Sequence, residues 1–382
     1  MITEWSFPTK ILFGEGAIDQ LGEKLRASGV ARPLVVVDKG IVQSGLCDRL
    51  GGVLKKAGIA HAIFDGVDPN PVEENIASGV EAYRGGGCDG IVAMGGGSPM
   101  DAGKLVRLKV THDRPLEDYD DLRDGWRHVT ANVPPMIAIP TTAGTGSEVG
   151  RSGVVILRSN KRKTVIFSPH LMPNWAVIDP ELTVGLPPRT TAATGIDALT
   201  HGIEAYCARG YHPMADGVAL ECVKLAARHL GRAVADGKDI EARRNMMASA
   251  MMGAVAFQKG LGVCHALAHP LSSEAGLHHG LANALMLPHV LSFNLDSAKG
   301  RLADIAMAMG VPATSSDLAA QAAVAVERLC SACGLPSKLG QCGVSRELVP
   351  TLAAKAIDDG CHLSNPRPVT VDDLKALYLA AF

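Results

Sequence analysis

The sequence predicts an α/β protein in which an N-terminal, doubly wound and mostly parallel sheet precedes an all-helical C-terminal domain. Short apolar runs alternate with helical patterns through the first half of the chain, as expected of repeated βα units. After Pro187 and Pro188 the chain becomes rich in Ala, Leu, Met and His at helical spacing, and strand-like runs are hard to find. We therefore predict two domains, residues 1–184 and residues 185–382.

The strands are predicted where short apolar runs end in polar or glycine-rich turns. Such runs occupy residues 34–38, 61–65, 90–94 and 135–139, and further strand-like runs occupy 153–157, 164–167 and 176–179. Helical patterns separate the first three runs. Strands of a parallel sheet are buried on both faces, and they therefore read as continuous apolar runs rather than alternating ones. These repeated units predict the doubly wound sheet.

Composition argues against nucleic acid and membrane as partners. The 382-residue chain is 47% hydrophobic and 20% charged, and its formal net charge of −2 supplies no basic field for nucleic acid. No uninterrupted apolar run approaches the length of about 18 residues that suggests a membrane span. The first residues lack a basic flank followed by an apolar stretch, so we expect no signal peptide. Nine scattered cysteines fit reduced thiols and a cytoplasmic location.

A glycine-rich loop, Gly95–Ser98, follows the third predicted strand and precedes a helix, with Ser98 predicted as its N-cap. Glycine lets the backbone approach a phosphate, and a helix N-terminus offers free N–H groups. The alternative is that these glycines form only a tight turn. A second polar loop at 141–147 also follows a strand, which favours a nucleotide-binding edge. Asp38 ends the first run, and its carboxylate could accept from a ribose 2′-OH or cap a helix.

The most informative stretch runs from residue 195 to residue 280. Asp197 and His201 are four residues apart, His265 and His269 are also four apart, and His279 follows. Residues four apart project from one face of a helix, so each pair could direct two side chains at one point. A carboxylate with several imidazoles is a donor set suited to Fe²⁺ or Zn²⁺. We therefore predict a metal site in the helical domain, the alternative being a set of unrelated helical histidines.

Four segments make the chain similar, end to end, to the iron-containing (group III) alcohol dehydrogenases. They are GGGSPMD at 95–101, PTTAGTGSE at 140–148, DPELTVGLPPRTTAATGIDALTHGIEAY at 179–206 and the histidine-rich segment 265–290. The resemblance implies an NAD-dependent enzyme that interconverts a primary alcohol and its aldehyde. It also implies a homodimer with bound Fe²⁺, or Zn²⁺ or another divalent transition metal in its place. The first domain would then bind the dinucleotide, and the second the metal and the substrate.

The resemblance also assigns residues by position. The metal ligands correspond to Asp197, His201, His265 and His279. His269 corresponds to a catalytic histidine beside the nicotinamide and the substrate, which would relay a proton. His278 precedes His279, so a shift of one residue stays open, although the shared Gly280 favours His279. The implied cofactor contacts are Asp38, Asn70, Gly96, Gly97, Ser98, Asp101, Thr141, Thr142, Thr145, Ser147, Lys163 and Leu182.

Within the family the chain most resembles the 4-hydroxybutyrate dehydrogenase branch, in which Arg151, Lys259, Cys361 and His362 are implied substrate positions. An ω-hydroxy acid carries a carboxylate, and Arg offers a planar fork to bind it. Alternatively, Arg151 pairs with Glu148 or lies on a solvated face, and Lys259 is exposed. The implied reaction interconverts 4-hydroxybutyrate and succinate semialdehyde. A broad primary-alcohol, 1,3-propanediol or lactaldehyde-type dehydrogenase is the alternative, and a dehydroquinate-synthase-like lyase is the alternative from another class.

Overall fold

The computed structural model describes residues 9–159 and 163–382 of the chain, and the predicted fold class is confirmed. Within these ranges every strand lies before residue 179, and the chain from residue 186 onwards is helical or irregular. The strands are β1 (Lys10–Phe13), β2 (Pro33–Asp38), β3 (Ala62–Val67), β4 (Gly90–Gly95), β5 (Met136–Pro140), β6 (Ser152–Ile156), β7 (Lys163–Phe167) and β8 (Trp175–Ile178).

The α-helices fall into two groups, and short 3-10 helices connect many of the elements. Between the strands lie α1 (Leu21–Ala27), α2 (Lys39–Gln43), α3 (Leu46–Lys56), α4 (Glu73–Gly85) and α5 (Gly97–Thr111). After the last strand come α6 (Pro188–Cys207), α7 (Pro213–Ala235), α8 (Ile240–Ala256), α9 (Val263–Glu274), α10 (His279–Phe293), α11 (Leu295–Ala308), α12 (Gln321–Ala332), α13 (Val349–Ile357) and α14 (Val371–Ala380). Among these described helices, none combines the length and apolar character that crossing a membrane requires.

Six strands form one parallel sheet in the order β1-β8-β5-β4-β2-β3, and β6 and β7 form a separate antiparallel pair. Leu34 and Val36 of β2 pack into one apolar cluster, whereas Val35 and Val37 pack into another. Because successive side chains of a strand point to opposite faces, both faces of the sheet are covered, as in a doubly wound fold.

The strand order places two predicted loops at the ends of neighbouring strands. From β2 the chain passes outward to β3, then returns to the other side of β2 and continues through β4, β5 and β8. The topological switch therefore lies between β2 and β4, where such sheets bind their ligands. Asp38 ends β2 and Gly96 follows β4, so both lie at this point.

The chain folds into two compact units. One contains all eight strands and ends at Gly185, and the other contains Leu186–Phe382 together with Ala143–Thr145. The predicted boundary fell after residue 184. The segment Ala143–Thr145, which groups with the helices, was not anticipated by the sequence.

Helix α6 is the core of the helical unit and packs against α7, α8 and α10. Pro188 suits its first turn, where no backbone N–H is needed, and every residue from Thr191 to Cys207 is buried. A Cβ at Gly195 would lie 2.2 Å from Leu230, so this glycine permits a close approach of the helices. Polar side chains buried on such a helix must find partners, and the partners of Asp197 and His201 define the site described below.

Candidate active site

The four predicted metal ligands converge within the helical unit. Asp197 and His201 lie on α6, His265 lies on α9, and His279 is the first residue of α10. Oδ1 of Asp197 lies 3.8, 3.7 and 3.4 Å, respectively, from the Nε2 atoms of His201, His265 and His279. Metal–ligand bonds of about 2.0–2.2 Å place neighbouring donor atoms roughly 3.4 Å apart around a tetrahedral ion. The donor atoms of Asp197, His265 and His279 all lie within 4.8 Å of one another, which suits a single ion, whereas His201 lies outside this group of three. His278, the alternative ligand, is exposed at the N-cap position of α10.

The electrostatics of this cluster also suit a divalent cation. Burial alone would raise the pKa of Asp197, but the surrounding histidines, His201 first, hold it well below its usual range. Burial lowers the pKa of His201 to about 4, so its imidazole is neutral and able to coordinate at physiological pH. Burial would also lower the pKa of His265, but Asp197 and Glu204 raise it to about 9. The two carboxylates thus attract positive charge to the cluster, and a cation bound there would take the place of the proton on Nε2 of His265.

Two further residues, both buried, hold the ligands in place. Glu204 accepts a hydrogen bond from Nδ1 of His265 through Oε2 (2.6 Å), while its Oε1 accepts from the Cys264 N–H. Because Nδ1 donates to Glu204, Nε2 is the nitrogen that His265 would offer to a metal ion, in the arrangement usual for metal-binding histidines. Asn283 donates to Oδ1 of Asp197 at 2.8 Å.

The sequence contained a signal for both of these residues, which the motif analysis missed. Glu204 lies three residues after His201, and Asn283 lies four after His279, so each shares a helix face with a ligand. The helical spacing that predicted the metal ligands could therefore also have predicted Glu204 and Asn283 as the residues that support them.

His269 lies one helical turn beyond His265 but belongs to a different group of side chains. Its ring stacks on that of His279, with centroids 5.1 Å apart. Its Nδ1 donates to Oδ2 of Asp359 at 2.6 Å, and Cys361 contributes a sulfur to the same group. The structure thus places His269 beside the ligand cluster, with a carboxylate partner that the motif analysis did not identify.

The predicted substrate residues of the helical unit separate into two sets. Cys361 lies with His269, and the neighbouring His362 is half-buried with its Nε2 donating to the Ile357 carbonyl (2.9 Å). Lys259 is neither exposed nor open to a ligand: its side chain is 1% exposed, and its ammonium donates to Asp216 (2.5 Å) and to a backbone carbonyl. We therefore correct the sequence prediction and remove Lys259 from the substrate residues.

Arg151 lies in the sheet unit, just before β6. Its guanidinium stands over the ring of Phe167, 5.2 Å from the ring centroid. Its backbone carbonyl accepts from the Ser168 N–H. Stacking on an aromatic ring restricts the orientation of a planar guanidinium.

The glycine-rich loop differs in detail from its prediction. Helix α5 begins at Gly97, and its N-cap is Gly96, which offers no side-chain cap. Ser98 is therefore inside the helix and not its cap as predicted, and its hydroxyl donates to the Pro69 carbonyl (2.6 Å). Gly95 has a φ of 150°, and a Cβ there would lie 2.7 Å from Pro99. This end of α5 keeps the free backbone N–H groups and the positive dipole end that bind phosphate.

Asp101 and Ser147 hold the neighbouring loop in place. The Ser147 hydroxyl donates to Asp101 Oδ1 (2.6 Å), and the Val154 N–H donates to Oδ2 (3.2 Å). Lys104, fully buried, donates to both the hydroxyl and the carbonyl oxygen of Ser147, at 2.7 Å each. Burial lowers the pKa of Lys104 to about 8. These contacts give Asp101 and Ser147 a structural role, and their contact with NAD stays a prediction.

Asp38 takes up the second of its two predicted roles. Its Oδ1 accepts from the Ile41 N–H at 2.9 Å, which caps α2, and the ribose contact remains a prediction. Leu182 is 2% exposed within an apolar cluster of the sheet unit, so its side chain serves the core.

The other predicted cofactor positions occupy strand ends and loops. Thr141 and Thr142 follow β5, and the Thr141 N–H donates to the Gly95 carbonyl, which joins this loop to the glycine-rich one. Lys163 begins β7, and Asn70 lies between two prolines before α4. Thr145 groups with the helical unit.

Comparison with known proteins agrees with this site. A family model described as "Iron-containing alcohol dehydrogenase" matches residues 8–180, and one described as "Fe-containing alcohol dehydrogenase family, C-terminal" matches residues 191–382. The chain is 41% identical to a 4-hydroxybutyrate dehydrogenase of Cupriavidus necator over 378 residues, which cover 97% of each chain. It is 39% identical to a 1,3-propanediol dehydrogenase of Klebsiella pneumoniae, over 99% of this chain and 98% of that one.

Solved structures show the same fold over the whole chain. A 1,3-propanediol oxidoreductase superposes with a TM-score of 0.96 at 39% identity and covers 100% of both chains. A sulfoacetaldehyde reductase from Bifidobacterium kashiwanohense, solved with NAD⁺, superposes with a TM-score of 0.89 at 31% identity, over 100% of this chain and 99% of that one. The chain belongs to the iron-containing alcohol dehydrogenase family, as its motifs predicted, and it is an oxidoreductase.

Proposed function

We propose that this enzyme interconverts a primary alcohol and its aldehyde, and that 4-hydroxybutyrate and succinate semialdehyde are its preferred pair. The observation that carries the reaction class is the convergence of three histidine Nε2 atoms on Oδ1 of Asp197. Asp197, His201, His265 and His279 would hold the metal. When bound, the metal supplies a Lewis acid for the substrate oxygen, and NAD supplies a hydride acceptor for the carbinol carbon.

The remaining steps belong to side chains of the protein. Glu204 accepts the Nδ1 hydrogen of His265, so Nε2 is the nitrogen that would bind the metal, and Asn283 holds the Asp197 carboxylate in position. His269 has its Nδ1 engaged by Asp359, so its Nε2 is the atom available to receive the alcohol proton and pass it to solvent.

The substrate choice depends on a cation for the carboxylate. Arg151 is the candidate that we retain, because Lys259 is buried against Asp216 and Arg151 has a planar fork oriented by Phe167. The 41% identity to a protein named 4-hydroxybutyrate dehydrogenase supports this choice. The 39% identity to a 1,3-propanediol dehydrogenase supports an uncharged diol as the second candidate.

The test compares 4-hydroxybutyrate with 1-butanol and 1,3-propanediol, using metal-loaded enzyme and NAD. A charge-assisted hydrogen bond contributes about 1.5–3 kcal/mol, so kcat/KM should favour 4-hydroxybutyrate by roughly 10-fold or more. Arg151→Ala should shrink that ratio while 1-butanol oxidation stays nearly unchanged. Arg158→Ala removes an exposed cation of the same unit and should leave the ratio as it is. Equal turnover of 4-hydroxybutyrate and 1,3-propanediol by the unmodified enzyme would favour the second candidate.

A further inference from the structure

Helix α9 carries two histidines four residues apart, and each is bonded to its own carboxylate. Nδ1 of His265 donates to Glu204, and Nδ1 of His269 donates to Asp359, both at 2.6 Å. In each pair the second carboxylate oxygen accepts a backbone N–H, from Cys264 and Cys361 respectively. The same arrangement thus occurs twice on one helix, once for a metal ligand and once for a histidine outside the ligand set.

The backbone that follows Asp359 fixes the position of the Asp359 carboxylate. Asp359 precedes the short 3-10 helix Gly360–Ser364 and caps it, because its Oδ1 accepts from the Cys361 N–H at 2.9 Å. Oδ2 is thereby turned toward His269. The side chains of His269 and Asp359 are 21% and 19% exposed, so solvent competes only weakly for their hydrogen bond.

The contact with Asp359 decides which nitrogen of His269 exchanges protons. A ring nitrogen that faces a carboxylate carries the hydrogen, so Nδ1 is the donor and Nε2 is left for the substrate side. The ring also stacks on His279 with an interplanar angle of 16°, which restricts its rotation. Both the tautomer and the orientation of His269 are therefore set by neighbouring side chains.

Cys361 does not compete with His269 for this role. Burial raises the pKa of the Cys361 thiol well above its usual range, and the charge of Asp359 raises it further. The thiol therefore stays protonated.

We propose that Asp359 is a positioning residue that holds His269 in the Nδ1–H tautomer with Nε2 directed at the reacting alcohol. The proposal rests on the proton-transfer role of His269 given under the proposed function. It predicts that Asp359 acts on the rate of turnover through His269 and has no part in holding the metal.

The experiment compares Asp359→Ala, Asp359→Asn, His269→Ala and the double variant His269→Ala/Asp359→Ala in the full-length, metal-loaded enzyme. The substrate is 4-hydroxybutyrate or 1-butanol, whichever the unmodified enzyme oxidises faster. For each variant, metal content, kcat, KM and the solvent deuterium isotope effect on kcat are measured. Asp358→Ala, which removes a carboxylate from the adjacent position, is the matched control.

Asp359→Ala should lower kcat about 10- to 100-fold, raise the solvent isotope effect, and leave KM and metal content near their original values. Asp359→Asn retains an oxygen that can accept from Nδ1 and should recover part of the rate. Since Asp359 acts through His269, the double variant should be no slower than His269→Ala alone.

Three outcomes would overturn the proposal. They are an unchanged kcat in Asp359→Ala, a loss that follows metal content in both Asp359 variants, and a double variant slower than His269→Ala by the full Asp359→Ala factor. If instead His269→Ala itself keeps full turnover, the proposed proton-transfer role of His269 is wrong. This result distinguishes an error in the role of His269 from an error in the role of Asp359.

Discussion

The metal cluster and the glycine-rich edge of the sheet use polar side chains in opposite ways. In the cluster, the donor atoms of Asp197 and three histidines face one another, and Glu204 and Asn283 hold them there. At the sheet edge, Asp38 is bonded to the backbone of the segment that follows it, and Asp101 is bonded to a neighbouring loop. A metal site needs side-chain atoms at set distances, whereas a phosphate site needs backbone N–H groups held by a rigid loop. Substitutions in the two regions should therefore affect different properties of the enzyme.

The largest effect is expected from removing a ligand. Asp197→Ala or His265→Ala each deletes one of four donor atoms, and metal affinity and turnover should both fall by more than about 100-fold, beyond the range typical of supporting residues. His269→Ala, one turn along α9, is the matched control and should retain metal while losing rate. Metal content of the purified variants decides between these roles. Loss of metal in His269→Ala with retention in His265→Ala would reverse our assignment.

A smaller effect is expected from removing Glu204, which supports the ligand His265. Glu204→Ala should weaken metal binding about 10- to 100-fold, because His265 loses the acceptor that fixes its tautomer, and Glu204→Gln should weaken it less. Metal affinity is measured by competition with a chelator. Glu221→Gln, which alters a solvent-accessible carboxylate on α7, should have no effect. Unchanged affinity in Glu204→Ala would show that the ligands hold their positions unaided.

The smallest effect is expected at the sheet edge, where the Asp38 side chain would both cap α2 and favour NAD over NADP. Asp38→Asn keeps an oxygen to cap α2 but removes a charge, and at about 4 Å in water this charge would repel a 2′-phosphate by about 1 kcal/mol. Use of NADP should therefore improve roughly 5-fold in kcat/KM without loss of thermal stability. Asp38→Ala should show the same gain and also lose about 1 kcal/mol of stability with its cap. Equal kcat/KM for NAD and NADP in the unmodified enzyme would contradict this reading.

The errors in the sequence predictions concern partners that are distant along the chain. Ser98 was expected to cap α5, but the helix begins two residues earlier than that cap implies, and the Ser98 hydroxyl donates to the Pro69 carbonyl. Lys259 was expected at the substrate, yet its ammonium is buried against Asp216, which lies 43 residues earlier. Residue type and local spacing do not carry such information. A lysine in the sequence looks the same whether its ammonium binds a ligand or an internal carboxylate.

The sequence by itself determined the succession of strands and helices, the family, and the pairs of histidine and carboxylate positions on α6 and α9. The strands follow from short continuous apolar runs, the helices and the paired positions from the 3.6-residue period, and the family from four motif segments. Each of these can be read from one segment of the chain at a time. Only the tertiary structure decided that His269 meets Asp359, 90 residues away, and that Asp101, Lys104 and Ser147 form one buried network. Those contacts depend on how separate elements pack, and the spacing within any one element does not specify that packing.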